Sequence, residues 1–573
     1  MSEKNERIKK ESLGLRGGIA EALETGIDHF EERELQLLKF HGSYQQDDRD
    51  SRRERRKAGL NKAWQFMVRS KIPGGLLSPE QYLAHDRMSE ELANGTMRLT
   101  NRQGIQLHGV LAGSLKQCIH TINACGLSTY GACGDIVRNT MACAVPFDSP
   151  SLQDSRALAK EISETFYARS RGYTEIWLDG EKLPIQEEEV EDPIYGNAYL
   201  PRKFKIGIAI PPFNDVDVLT HDTGLVADVK DNVIVGFDIY VGGGMGMSFG
   251  NKQTHPSLGS PLFHVPRNQI IDTLKVIVTT QRDFGRRDDR KQARLKYLIR
   301  NRGIVWFRNQ VASQLKFAPT PHKAIPLGPV DDLLGWHPQS KGLAFYGLWV
   351  PDGRIADTPF GKYKSALREI CEMHSPTLTI SPNANLYLHG IPELAKSEID
   401  NILRAHEIPD ASALSRARRT SHACVSLPTC GLALAESERV FQGVMESLDS
   451  LLAVLGIHQE PLLVRMSGCP NGCARPYNAD IAFIGKGPGK YSVFIGGSYR
   501  GNHMASLWKK SVPLDSLVEE IRPILESFVS ERRKDEYFSD YWQRTQATET
   551  QIEDSDRFHV AIDSQSPTDL FAR

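Results

Sequence analysis

The segment Arg98-Leu-Thr-Asn-Arg-Gln-Gly-Ile-Gln-Leu-His-Gly-Val110 can be laid over Thr379-Ile-Ser-Pro-Asn-Ala-Asn-Leu-Tyr-Leu-His-Gly-Ile391, and each follows a Pro-x-Gly turn, at Pro73 and Pro351. The two offsets agree to within three residues. A second pair, Ile239-Tyr-Val-Gly-Gly243 and Val493-Phe-Ile-Gly-Gly497, joins an apolar strand-like run to a glycine turn and falls in the same order. An order A, B, A′, B′ predicts a duplicated unit, two like halves packed about a pseudo-twofold axis. Within each A unit a strand, a helical stretch such as residues 79–91 and a further strand predict a small α+β sandwich.

The chain around this repeat has 573 residues, 40% of them hydrophobic, enough for about three or four domains. Its 70 Lys and Arg balance 71 Asp and Glu, so no global charge points to nucleic acid or an anionic membrane. The charged N-terminus lacks the apolar stretch of a signal peptide, and no run approaches the roughly 20 apolar residues of a membrane span. A cytoplasmic location is predicted. Nine cysteines, an odd number in a long chain, suit reduced thiols or metal ligands better than a disulfide scaffold. The run Asp47-Asp-Arg-Asp-Ser-Arg-Arg-Glu-Arg-Arg-Lys57 reads as a solvated surface or as a docking segment for a protein partner.

Four cysteines stand in two pairs, Cys424-Val-Ser-Leu-Pro-Thr-Cys430 and Cys469-Pro-Asn-Gly-Cys473. Four thiolates make a complete soft-ligand set for zinc or for an iron–sulfur cluster. Structural zinc pairs usually enclose two to four residues, whereas the gaps here are five and three, which favours the cluster while leaving zinc open. Pro428, Gly468, Pro470 and Gly472 are turn formers that let the backbone wrap a bulky inorganic cube.

Ala423-Cys-Val-Ser-Leu-Pro-Thr-Cys430 with Gly468-Cys-Pro-Asn-Gly-Cys473 resembles the cluster signature of the sulfite and nitrite reductase haemoprotein family. The similarity extends to Leu38-Lys-Phe-His-Gly-Ser-Tyr-Gln-Gln-Asp-Asp-Arg49, Arg98-Leu-Thr-Asn-Arg102, Glu175-Ile-Trp-Leu-Asp179, Leu200-Pro-Arg-Lys-Phe-Lys205 and Thr279-Thr-Gln-Arg-Asp283. Ser70-Lys71 after Arg69, and Gly431 where proline usually follows the second cysteine, depart from the family pattern. The resemblance implies a [4Fe–4S] cluster on Cys424, Cys430, Cys469 and Cys473, with Cys473 also the axial ligand of a siroheme iron. It implies an α+β fold of pseudo-twofold duplicated sandwich domains. The expected segments are a charged N-terminal extension over 1–62 with a possible docking role, a ferredoxin-like half-domain over 63–145, and a siroheme- and substrate-binding α/β domain over 146–335. A second ferredoxin-like half follows over 336–412, and a cluster- and siroheme-binding α/β domain over 413–573.

Lys203 and Lys205 sit two apart in the strand-like run 203–210, so both side chains project from one sheet face. Alone, that reads as a solvent-facing edge. Beside Arg69 and Arg138, which match the family's other basic active-site positions, it reads as a catalytic pocket. Sulfite reduction to sulfide takes six electrons and protons that carry the oxygens away as water; Arg69 and Arg138 are assigned to anion binding, and Lys203 and Lys205 to proton donation. Siroheme carries eight carboxylates, so cations and donors are needed, and Arg98, Asn101, Arg102, Gln106, His108 and Arg202 are the cofactor candidates. Arg282, Arg286, Arg287, Arg290, Lys291, Arg294 and Lys296 form a second basic stretch, read as helical.

Gly242-Gly-Gly-Met-Gly246 and Gly485-Lys-Gly-Pro-Gly489 lack dinucleotide-binding spacing, so NADPH is not expected to bind this chain. The resemblance supplies the electron source as a flavoprotein partner with FAD and FMN, which takes electrons from NADPH. Cys118, Cys125, Cys133, Cys143 and Cys371 read as ordinary buried thiols. Two alternatives stand beside this reading: a ferredoxin-dependent sulfite or nitrite reductase, and a non-catalytic zinc protein.

Overall fold

The computed structural model describes residues 2–170, 176–178, 181–183 and 191–546. The motif at 175–179 therefore contributes only its strand Ile176–Leu178, and the end of the fifth expected segment lies outside the described residues.

Both A segments fold into the same pair of strands. Met97–Leu99 and Ile105–Val110 pair antiparallel in one five-stranded sheet, and Thr377–Ile380 and Leu386–Pro392 do so in another. The two sheets exchange their last strand: Leu76–Leu77, just after the Pro73 turn, pairs with Thr377–Ile380, and Arg354–Ile355, just after the Pro351 turn, pairs with Met97–Leu99. Gly74 and Asp352 turn the chain with φ of 65° and 52°, a left-handed conformation that glycine or aspartate adopts most readily. The inward residues of the exchanged strands, Leu77 and Ile355, are buried in one core shared by both halves, and each contributes roughly 1.5–3 kcal/mol. Duplication and exchange thus make one body of the two half-domains.

The helix Pro79–Glu91 starts where local chemistry dictates. Ser78 Oγ accepts from the Gln81 N–H, the Gln81 side chain accepts from the Ser78 N–H, and Pro79 occupies the first helical position. Its counterpart after the second turn, Tyr363–His374, packs against it.

The B units are equally alike. Met141–Ala142, Ile206–Ala209 and Thr223–Lys230 run parallel, followed by antiparallel Val233–Val241 and Ser260–Pro266. His422–Ala423, Val464–Ser467 and Ile481–Gly487 repeat the parallel part, and Lys490–Ile495 and Ser506–Pro513 the antiparallel part.

Three expectations need correction. Residues 1–62 are no appended extension throughout: Ser43–Asp47 is the edge strand beside Trp64–Arg69. Met141–Ala142, expected within the first half-domain, pairs with Ile206–Ala209 in the next sheet. The basic stretch is not one helix, because Ile270–Phe284 ends at Gly285, where the backbone turns extended, and a new helix, Leu295–Arg302, begins ten residues on. Among the described residues no helix is long and apolar enough to cross a membrane.

Candidate active site

Cys424 follows the strand His422–Ala423, and Cys469 and Cys473 follow its parallel neighbour Val464–Ser467. Parallel neighbours end side by side, and this brings together cysteines distant in sequence. The Cys424 N–H donates to Met466 O at 3.1 Å, and the Gly468 N–H donates to Cys424 Sγ at 3.3 Å. Leu434 and Ala435 N–H both donate to Gly468 O, and Asn471 Nδ2 donates to Cys469 Sγ at 3.4 Å. A Cβ on Gly468 would lie 1.9 Å from Ser426 Oγ, so only glycine lets the two cysteine loops close.

Burial first, and then the neighbouring Cys473, push the thiols of Cys424 and Cys469 up to about 12 and raise that of Cys430 as well. Without a metal's charge these thiols hold their protons. The four sulfurs feel one another, yet among the described residues no three His, Cys, Asp or Glu side chains converge on a point that would hold one metal ion. Four interacting thiols, with N–H donors at the sulfurs of Cys424 and Cys469, make a soft-ligand set that fits an iron–sulfur cluster.

The basic residues gather opposite. Arg69, at the end of Trp64–Arg69, donates through Nη1 to Cys133 Sγ at 3.2 Å, and the Gln106 amide oxygen, turned toward it, accepts from Arg69 Nε at 3.1 Å. Tyr44 also meets the Cys133 thiol. Arg138 Nε donates to Gly134 O at 2.7 Å. Arg102 touches Asn139 O, Met141 Sδ and, at 2.8 Å, His221 Nδ1. None of these hydrogen-bond partners is an acid, so none of them competes with an incoming anion.

Lys203 and Lys205 precede the strand, which begins at Ile206; only an isolated bridge at Phe204 continues it backward. Burial, followed by Arg294, Arg202 and Arg138, pushes Lys203 down to about 7. Burial and then Lys203 push Lys205 well below the usual lysine range. Lys203 also interacts electrostatically with Cys473. Burial pushes Arg102 down to about 9 and Arg202 to about 10. Burial is the largest cause of each shift, and neighbouring cations add to it.

The cofactor candidates divide. Arg102, Gln106 and Arg202 lie in the cationic group, Arg202 facing Asp135 at 3.7 Å. His108 is buried with its Nδ1 unpartnered, and burial holds it far below the ordinary histidine range. Arg98 and Asn101 instead brace the cysteine loops: Arg98 donates to Ala423 O at 2.6 Å and pairs with Glu438 at 3.0 Å, and Asn101 Nδ2 donates to Cys473 O at 2.7 Å. Excess buried positive charge and an orphaned histidine nitrogen fit a polycarboxylate such as siroheme.

Several contributors escaped the sequence reading. Cys133, read as an ordinary thiol, stands beside Arg69. Asp222 holds Arg294 through two contacts of 2.9 Å, and Lys296 Nζ donates to Gly244 O at 2.9 Å and Gly246 O at 2.7 Å. Met247 N–H donates to Pro470 O, so the glycine run 242–246 seats the Cys469 loop. For Arg294 and Lys296 the sequence carried a signal, their place in the basic stretch, and the glycine run was noted only for its lack of dinucleotide-binding spacing.

Comparisons agree with this geometry. The family model described as "Nitrite and sulphite reductase 4Fe-4S domain" matches residues 157–318, and "Nitrite/Sulfite reductase ferredoxin-like half domain" matches residues 61–125 and 337–406. The first span contains none of the four cysteines, which sit on its topological duplicate. The chain is 42% identical over 555 residues to a protein of Staphylococcus saprophyticus named "Sulfite reductase [NADPH] hemoprotein beta-component", covering 97% of each. A protein of Shouchella clausii with the same name is 41% identical over 542 residues, with 94% of each covered. The solved structure of Mycobacterium tuberculosis NirA is similar in fold, with a TM-score of 0.77 at 24% identity, covering 94% of this chain and 96% of that one. With its cysteine loops, cationic pocket and duplicated half-domains, the chain belongs to the nitrite and sulphite reductase family.

Proposed function

We propose that this chain is the haemoprotein component of an assimilatory sulfite reductase that reduces sulfite to sulfide at a siroheme coupled to a [4Fe–4S] cluster. The observation that carries the reading is the pair of cysteine loops closed on Gly468, with Lys203 near enough to Cys473 to interact with it electrostatically and set among the cations Arg294, Arg202 and Arg138. Cys424, Cys430, Cys469 and Cys473 would hold the cluster, and Cys473, the one exposed thiol of the four, would be the one accessible to the siroheme. When bound, siroheme and cluster supply the electron relay and the iron at which sulfite is reduced.

The chain's own residues do the rest. Arg69 and Arg138 bind the anion's oxygens, and because their partners are neutral their charge is spent on substrate. Lys203 and Lys205 hold protons at Nζ, with affinities lowered by crowding, and release them to oxygens that leave as water. Arg102, Gln106, His108 and Arg202 face the carboxylates of the cofactor, with Arg98 and Asn101 fixing the cysteine loops.

A flavoprotein carrying FAD and FMN supplies electrons from NADPH in this reading. Support comes from the exposed helix Arg52–Lys57, rich in arginine, and from Arg49, whose Nη1 donates at 2.8 Å to both Cys430 O and Ala433 O. A cationic face beside the cluster loop suits an acidic electron donor. Nine free thiols suit the reducing cytoplasm. The test is a visible spectrum with iron, acid-labile sulfide and siroheme analysis, followed by sulfide release from sulfite with reduced methyl viologen. Haem bands with nitrite turnover and no sulfite turnover would move the assignment to nitrite reductase, and a colourless protein made with siroheme supplied would refute it.

A further inference from the structure

The N-terminal helix Ser2–Lys10 is densely charged, yet Lys9 is only 3% exposed. Its Nζ donates to Leu200 O at 2.9 Å, pairs with Glu6 at 2.5 Å and lies 3.7 Å from Asp135. Asp135 is itself 3% exposed and also receives Arg290 through two contacts, 2.5 and 2.9 Å, and Arg202 at 3.7 Å. Three cations from three parts of the chain thus compete for one buried carboxylate. Arg290 holds it bidentately, while Lys9 and Arg202 share what is left.

The loop that carries Asp135 also positions the substrate side of the pocket. Gly134 O, one residue earlier, takes Arg138 Nε at 2.7 Å. Gly134 is pressed on Phe40, whose ring a Cβ there would approach to 2.7 Å, and Asp135 O accepts from the Leu200 N–H at 2.9 Å. The helix is held from its far side as well, since the Arg290 N–H donates to Ser2 Oγ at 2.8 Å and Arg287 pairs with Glu6. Lys9 and Glu6 form a neutral pair, so moving the two together changes little net charge at Asp135 itself. What changes is the sharing of Asp135: with Lys9 gone, Arg202 is drawn fully onto the carboxylate and away from the cofactor side.

We propose that Lys9 and Asp135 are positioning residues that couple docking of the N-terminal helix to the placement of Arg138 and Arg202. The assignment rests on the reading of Arg138 as a sulfite contact and Arg202 as a siroheme contact.

The experiment compares holoprotein of the wild type with Lys9→Met, Lys9→Arg and Glu6→Gln, using reduced methyl viologen as donor. Lys9→Met is expected to raise KM for sulfite on the order of ten-fold with little change in kcat, as a small displacement of binding groups does. The sulfite concentration needed to shift the haem bands should rise in proportion, and Lys9→Arg should restore both. Glu6→Gln, which loosens the helix from a part-exposed position, should move KM the same way by less. If Lys9→Met does not fold, Glu6→Gln against Lys9→Arg carries the comparison. Unchanged KM and unchanged titration in every folded variant, even with lowered thermal stability, would overturn the coupling. A wild type without sulfite turnover would instead strike the functional reading.

Discussion

Asp217→Asn is the substitution with the sharpest expected outcome. Asp217 is fully buried and left-handed at φ 55°, and its carboxylate lies 3.3 Å from Arg465 and 3.5 Å from Arg475. Asn478 Nδ2 donates to both of its oxygens, at 2.8 and 3.0 Å. Asparagine keeps the shape and one acceptor, but it removes the carboxylate that both buried guanidinium groups contact and aims an amide N–H at them. Breaking a buried pair by removing one partner costs roughly 3–5 kcal/mol. Pro382 O at 2.8 Å and Asn383 Oδ1 at 3.1 Å still accept from Arg475, which places the cost at the lower end, about 3 kcal/mol. Arg475 lies two residues beyond Cys473, so the cysteine loops should loosen first. The assay is guanidinium chloride unfolding of the holoprotein, followed by the visible bands and by tryptophan fluorescence. The visible bands should be lost at lower denaturant than in the wild type, and ahead of the fluorescence change. A shift worth less than about 0.5 kcal/mol, the range of an ordinary surface substitution, would refute the charge balance argued for this hub.

Lys203→Met should lower kcat for sulfide formation by about 10²- to 10³-fold, the usual weight of a positioned proton donor, whereas Lys203→Arg should keep sulfite affinity without restoring the rate. Steady-state sulfide release with reduced methyl viologen checks both. Asp480, buried and accepting from the Leu463 N–H at 2.8 Å, has its carboxyl pushed up to about 8 by burial. A folded pKa above the unfolded value of roughly 3.9 means a contribution present at low pH and lost as pH rises toward 8. Asp480→Asn should therefore gain stability relative to the wild type between about pH 5 and 8, read as a flatter dependence of the thermal midpoint on pH.

The cysteine spacing and the A and B repeats were legible because they are local patterns. A helix with its capping box at Ser78, or a strand ending in a glycine turn, is written in consecutive residues. The strand after each Pro-x-Gly turn was not assigned to its sheet, because nothing at Leu76–Leu77 or Arg354–Ile355 says that its partner lies in the other half. Arg98 illustrates the same limit within the site. As a residue type it suits a carboxylate ligand, but Glu438, 340 positions away in the chain, takes its guanidinium.

By itself the sequence showed the two cysteine pairs, the duplicated order of units and the basic residues Arg69, Arg102 and Lys203. Tertiary structure alone decided which of those cations meet a carboxylate of the chain and which do not. Arg69 and Arg102 end beside a thiol, a histidine and carbonyls, whereas Arg98, Arg290 and Arg294 end on Glu438, Asp135 and Asp222. The physical reason is that a buried charge is defined by its nearest neighbours in space, and those neighbours come from loops that only the packed sheets bring together.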